Sequence, residues 1–288
     1  MNLRKSERKQ ARIKMGIQGP SGSGKTYSAL LLAYGLVGDW RKIAVIDTEN
    51  CSSDLYAHLG DFQVLALKKP FSPERYVEAI STCVQAGIEV IILDSISQEW
   101  EGAGGILDIH SSLTGNSFVN WYKITPRHNA FVNAILESPY HVIATIRSKQ
   151  DYVLSEKNGK YVPEKVGLKG ITREGLDYEF TLVFELDLKH NCTATKDRTG
   201  LFMDRPAFTI TPETGRRIIS WCNTGISSSQ VREKINECNN LKALIELYND
   251  YPEYQEQLKP DFAAKKLLLE ESSVQHIKLG NNGITNSE

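Results

Sequence analysis

One octapeptide constrains this chain more than any other stretch. Gly19-Pro20-Ser21-Gly22-Ser23-Gly24-Lys25-Thr26 follows the pattern G-x-x-x-x-G-K-T. Glycines at these places let the backbone curl until successive N–H groups point inward at an anion. The lysine brings a positive charge to the β- and γ-phosphates of a nucleoside triphosphate. The Thr26 hydroxyl offers an oxygen ligand to Mg²⁺. The flanks agree with that reading. Residues 13–18 form a short apolar strand, and residues 27–36, opening with Tyr27, form an apolar helix. A bound phosphate would therefore sit at a helix N-terminus. Gly19 through Tyr27 are the expected nucleotide contacts. Ser21 and Ser23 belong to the loop's backbone geometry and not to nucleophilic catalysis.

With 288 residues the chain can hold one large α/β domain and a small appendage. Its net charge of −1 excludes a polycation, so any nucleic-acid binding has to come from a local basic patch. The five cysteines are scattered without C-x-x-C spacing, which indicates neither a zinc site nor a disulfide framework. His110, His128 and His141 lack metal-ligand spacing. The N-terminus has no apolar leader, and no run approaches 18 apolar residues, so a cytoplasmic protein without a membrane partner is expected.

Further apolar strands are expected at 42–47, 62–67 (an edge), 89–94 and 141–146. They alternate with helices opening at Ser72-Pro73 and spanning 117–137. That alternation predicts an α/β fold, a mainly parallel twisted sheet with helices on both faces. Residues 181–186 and 192–195 read as a terminal antiparallel pair, with 208–210 as a further edge. Residues 1–12 are a basic arm and 13–225 the main domain. Residues 226–272 are a helical appendage of two helices, and 273–288 a disordered tail. Residues 147–173 break the pattern as a loop. They carry seven positive and three negative side chains, a local charge of +4, with Tyr152 and Tyr161 interleaved.

The chemistry around the loop follows from the strand ends. Asp94 ends an apolar strand, where a Walker B acid holds Mg²⁺ opposite Thr26. Hydrolysis also needs a carboxylate to activate water. AAA+ enzymes place a glutamate directly after the Walker B aspartate, and Ser95 stands there instead. Glu49, in Asp47-Thr48-Glu49, ends the neighbouring strand and is the expected base; Glu99 and Glu101 compete with it. Thr145 and Arg147 end the strand beside the phosphate-loop strand, where a γ-phosphate sensor belongs. No N-K-x-D segment supports guanine, so adenine is the default.

Taken together these segments resemble the RecA-like P-loop ATPases encoded by phages and prophages, which include single-strand-annealing ATPases with a minimal RecA core. The resemblance spans roughly residues 10–225. Its carriers are Gly19–Thr26 with the helix after it, Asp47-Thr48-Glu49, Asp94-Ser95-Ile96-Ser97 with Trp100-Glu101-Gly102, and Thr195-Lys196-Asp197-Arg198. It implies ATP and Mg²⁺ binding, hydrolysis, assembly into a ring or filament, and a role in DNA recombination or annealing beside a single-strand-binding or other recombination protein. Lys196 and Arg198 resemble the K-x-R segment that reaches the phosphates of a neighbouring subunit. In a RecA-like sheet the loop after residue 146 faces the DNA path. Arg147, Lys149, Tyr152, Lys157, Lys160, Tyr161, Lys165 and Lys169 are then the candidates for single-stranded DNA, with charge on the backbone and aromatic rings on bases. Trp121, Tyr122, Lys123, Arg127 and His128 form a second candidate patch. A P-loop small-molecule kinase, with 147–173 as its lid, and a nucleotide-dependent scaffold or loader are the alternatives.

Overall fold

A computed structural model describes residues 11–157, 160–223, 228–251 and 254–281. Residues Ala11–Cys222 make one compact unit, and the described residues from Asn223 onward belong to another. The first unit is built on a sheet whose strands are β1 (Lys14–Gly19), β2 (Ile43–Asp47), β3 (Gln63–Ala66), β4 (Val90–Asp94), β5 (His141–Lys157), β6 (Lys160–Gly170), β7 (Leu182–Leu186) and β8 (Cys192–Asp197). Their order is β3-β2-β4-β5-β1-β7-β8, with β6 paired only to β5. The pairs from β3 to β7 along this order are parallel, while β7–β8 and β5–β6 are antiparallel. The expected α/β class and the β3 edge are as read from the sequence.

Alternation along the strands sorts two cores onto the two faces of the sheet. Met15, Ile17, Val45, Ile92 and Ile143 face α1 (Lys25–Val37) and α7 (Pro212–Asn223). Ile46, Ile91, Leu93, Val142 and Ala144 face α2 (Pro73–Gln85) and α5 (Ser117–Glu137) through Tyr76, Ile80, Phe131 and Ile135. Leu30 and Leu32 are fully buried, each contributing about 1.5–3 kcal/mol. Short helices α3 (Ser97–Glu101) and α4 (Ile106–Ser112) follow β4, and α6 (Leu176–Glu179) precedes β7. The second unit packs α8 (Ser228–Glu237), α9 (Leu241–Asp250) and α10 (Lys259–Asn281) around Val231, Ile235, Leu244, Tyr251 and Phe262.

Three expectations are corrected here. The loop expected at 147–173 is a β-hairpin, because β5 runs on past Arg147 and β6 returns antiparallel to it. Strand β6 contains Pro163 and Gly167 and is an edge strand, where a missing N–H is tolerated. The appendage has three helices, because Asn240 caps α9 by accepting from the Ala243 N–H at 2.9 Å. The tail expected to be disordered is helical as far as Asn281, and no glycine or proline interrupts the sequence between Phe262 and Leu279.

Two close packings carry consequences. A Cβ on Gly35 would lie 2.0 Å from the Pro212 carbonyl oxygen and 2.9 Å from Gly215 Cα, so α1 and α7 cross backbone to backbone. We expect Gly35→Ala to lose about 1–3 kcal/mol or more of stability in urea unfolding. At the start of the sheet, buried His141 accepts the Ile13 N–H on Nδ1 at 3.1 Å, and Arg12 Nη1 lies 3.4 Å from its Nε2, so both ring nitrogens face donors. Burial, then the charges of Arg12 and Lys14, lower its pKa to about 3. An unfolded histidine titrates near 6.5, so between those values only the unfolded chain binds the proton. We expect this group to remove about 1.4 kcal/mol of stability per pH unit as the pH falls through that window, with His141→Gln flattening the slope.

Candidate nucleotide-binding site

The strand order decides what can meet at the phosphate loop. Strand β5 lies between β1 and β4, and its residues 142–147 pair with 14–19 of β1. The ends of β1, β4, β5 and β2 therefore open onto one cleft of about 470 Å³. Gly22 and Gly24 adopt φ of 80° and 84°, the left-handed region that lets the loop curl into the N-terminus of α1. Lys25 Nζ lies across the loop, donating to the Gly19 and Pro20 carbonyls at 2.9 and 2.8 Å. Burial lowers its pKa, and the charges of Asp94 and Glu49 oppose that shift.

Asp94 closes the inner wall. It is 3% exposed, and each carboxylate oxygen accepts one hydroxyl: Thr26 Oγ1 at 2.6 Å and Thr145 Oγ1 at 2.5 Å. Burial raises its pKa, the two hydroxyls offset part of the rise, and the Glu49 and Asp47 charges add to it. A buried carboxylate facing a hydroxyl at a helix N-terminus is the all-oxygen chemistry that Mg²⁺ takes, so Thr26 and Asp94 fit the ion.

The outer wall is set by Asp47. Its carboxylate accepts the backbone N–H groups of Glu49, Cys51 and Ser53 and the Ser53 hydroxyl, which curls residues 47–53 over the end of β2. Thr48 Oγ1 accepts the Ser95 N–H at 2.9 Å. This frame aims Glu49 into the cleft. There it accepts the Ser95 hydroxyl at 3.0 Å and two N–H groups of Arg147, from Nε at 2.8 Å and from Nη2. Of the competing acids, Glu101 also lines the cleft. Glu99 does not; it is buried against His128 Nδ1 at 3.0 Å, and burial raises its pKa.

Other candidates fall elsewhere. Arg147, expected both where a γ-phosphate sensor belongs and on a DNA surface, lines the cleft, because the register places it opposite Gly19. Lys149 and Lys169 are exposed on the hairpin, Lys169 within 3.7 Å of Glu174. The side chains of Tyr152, Lys157, Lys160, Tyr161 and Lys165 lie outside the described residues. Lys196 and Arg198 are not brought to the cleft within one chain. Lys196 Nζ donates to the Asp177 and Tyr178 carbonyls, and Arg198 to Tyr178 at 3.0 Å. Of the second patch, Trp121 stacks on His110 with ring centroids 4.3 Å apart, and Arg127 pairs with Glu74. His128 is the buried partner of Glu99, while Tyr122 and Lys123 are exposed.

Besides Ser52 and Ile171, which line the cleft, three residues were invisible to motif reading. Tyr56 lines the cleft and packs against Tyr27, with ring centroids 5.7 Å apart. Ser148 lines it beside Arg147. His190 donates from Nδ1 to the Ser23 carbonyl at 3.1 Å, bracing the loop from the β7–β8 turn. None of them sits in a recognisable spacing; only an aromatic residue shortly after a strand-end acid hinted at Tyr56.

A protein-family model described as an AAA domain matches residues 11–219. Among solved structures, the KaiC-like protein of the hyperthermophilic archaeon Pyrococcus horikoshii aligns at 18% identity with a TM-score of 0.41, covering 72% of this chain and 87% of that one. No curated protein matches the sequence. No helix among the described residues is long and apolar enough to cross a membrane.

The raised pKa of Asp94 gives a signed test. An acid whose folded pKa exceeds its unfolded one holds its proton more tightly in the fold. Its ionisation therefore costs stability above the folded pKa, and that cost fades as the pH falls toward the unfolded value of about 3.9. Asp94→Asn removes the charge. We expect the nucleotide-free variant to unfold at higher urea than wild type at pH 7, by about 1–3 kcal/mol. The advantage should shrink toward pH 4, and Mg²⁺-dependent nucleotide binding should be lost.

Proposed function

This chain belongs to the AAA domain family, and on that premise we propose that it is a Mg²⁺-dependent ATPase of RecA-like type that assembles on single-stranded DNA. The observation that carries the reading is the convergence of Lys25, Thr26, Asp94 and Glu49 on one cleft under the phosphate loop, with buried Thr145 bracing Asp94 from behind. Lys25 and the N–H groups at the start of α1 bind the phosphates. Thr26 and Asp94 would hold Mg²⁺, which when bound supplies charge stabilisation at the transferring phosphoryl group. Glu49 orients and deprotonates the attacking water, and Thr145 keeps the Asp94 oxygens fixed. Tyr56 and Tyr27 offer an aromatic face for the base, adenine in the absence of a guanine-reading motif.

Two further parts of the reading rest on charge and placement. Lys196 and Arg198 lie outside their own chain's cleft, which fits a role at the phosphates of a neighbouring copy in a ring or filament. The hairpin of β5 and β6 carries most of the basic 147–173 segment, and a basic, aromatic-bearing arm tracks a single strand without sequence preference. Recombination or strand annealing is the task that such an assembly would serve.

ATP turnover tests the reading. We expect turnover to rise with single-stranded DNA and to fall about 10²–10³-fold in Lys25→Ala. Turnover that ignores DNA over a wide concentration range overturns the DNA coupling. Product analysis separates the competing classes: free phosphate marks hydrolysis, a phosphorylated small acceptor marks a kinase, and intact bound ATP marks a scaffold.

A further inference from the structure

We propose that the crevice between the ends of β2 and β3 is a second ligand site, one that takes a small organic anion with an apolar body. The site stands apart from the phosphate-loop cleft and does not depend on what that cleft binds.

Topology opens the crevice. In an open parallel sheet, ligands settle outside the carboxyl ends of neighbouring strands whose following segments leave toward opposite faces. Strands β2 and β3 are such a pair. After β2 the chain turns to the α1 face, where Tyr56, Leu59 and Phe62 pack against the core. After β3 it turns to the α2 face, where Leu67 and Phe71 are buried in the other core. Where the two segments part they leave a cavity of about 290 Å³. Asp47, Asn50 and Cys51 line it from the first segment, and Leu67, Lys68, Lys69 and Phe71 from the second.

Both walls are built without an occupant. The Asp47 carboxylate fixes residues 49–53, and the Leu67 N–H donates across to the Asp47 carbonyl at 2.8 Å. On the other side Arg75 Nη1 donates to the Lys68 and Pro70 carbonyls, and the Phe71 N–H donates to the Ala103 carbonyl at 2.8 Å. A preformed crevice spares a ligand the cost of ordering its walls.

The lining selects the ligand. Leu67 and Phe71, each 5% exposed, supply apolar surface. Asp47 is the acid in the lining, but it is 1% exposed, and its two oxygens already accept three N–H groups and the Ser53 hydroxyl. Its charge is committed to that turn. Lys68 and Lys69 are exposed, and among the described residues neither ammonium has an ion-pair partner. The exposed Asn50 amide adds two more donors. Cationic donors beside apolar surface suit a carboxylate or phosphate carried on an apolar body, and they repel a cation.

Cys51 gives a direct readout without nucleotide. It is partly exposed, while Cys83, Cys192 and Cys222 are buried, so in a Cys238→Ser background it is the accessible thiol. Its thiolate displaces iodide from neutral iodoacetamide, and the mass of its peptide reports the rate. Benzoate and phenyl phosphate are titrated as the anions, with benzamide and inorganic phosphate as the controls lacking charge or body. We expect both aromatic anions to slow alkylation saturably, and each control to need about tenfold more or higher concentration. The stronger of the two anions identifies the head group as carboxylate or phosphate. Lys68→Gln with Lys69→Gln should weaken the anions about three- to tenfold, each rate being scaled to the same variant without ligand. Added salt should weaken the anions in the Cys238→Ser protein and leave benzamide unchanged, which checks the charge effect without altering either lysine. No protection by either anion, equal protection by benzamide, or protection that ignores both the lysine changes and salt overturns the site.

Discussion

The Asp94 carboxylate is the joint through which three elements of the fold depend on one another. A charge that deeply buried costs several kcal/mol unless hydrogen bonds replace its water. Here the replacement comes from two hydroxyls, Thr26 at the start of α1 and Thr145 on β5, at 2.6 and 2.5 Å. Each is a charge-assisted bond and roughly twice as strong as a neutral one. The strand order makes this possible. Were β4 the direct neighbour of β1, no third strand could stand between the acid and the phosphate loop. With β5 interposed, its residue 145 reaches the oxygen that Thr26 does not. The acid is thus aimed and kept from water before any ligand arrives, and its burial raises its pKa against the pull of the two hydroxyls.

Two acids separated by one residue do opposite work beside it. Asp47 spends both oxygens on backbone N–H groups and one hydroxyl of the segment that follows, so it shapes the wall and offers nothing to a ligand. Glu49 is carried by that shaped segment and keeps its oxygens turned to the cleft. Thr48 between them bonds the Asp94 carbonyl and the Ser95 N–H, which locks the end of β2 to the end of β4. The spacing D-T-E is then explained by three different jobs: a turn former, a strand clamp and a presented carboxylate.

How far the sequence could be read follows from the same physics. The phosphate loop, Asp94 and Glu49 were legible because each is a fixed residue type at a strand end, where burial and backbone geometry leave little choice. Arg147 was legible only as one of two alternatives, at the phosphates or on the DNA path, since it is both a strand-end residue and the first of a run of seven cations, and the pairing of residue 147 with residue 19 puts it at the cleft. The hairpin was hidden by Pro163 and Gly167, residues that an edge strand tolerates and a central strand does not. Tyr56 and His190 reach the site from a 3₁₀ segment and a turn, which no periodicity announces. Lys196 and Arg198 were legible as a pattern, but their partners in one chain are backbone carbonyls of residues 177 and 178.

Strand β5 links the cleft to the surface by covalent continuity. Within one run it carries Thr145 on Asp94, Arg147 on Glu49 and Ser148 in the cleft wall, and then becomes the first arm of the hairpin. Strand β6 returns to the same place, with Ile171 bonded to the Arg147 carbonyl and lining the cleft. Both arms are therefore rooted in the site. A ligand on the hairpin changes the site only if it distinguishes two arrangements of that root, and the nucleotide must then distinguish the same two by the same factor. Arg147 and Ser148 belong to both the strand and the cleft, so the root of the hairpin and the wall of the site are the same residues.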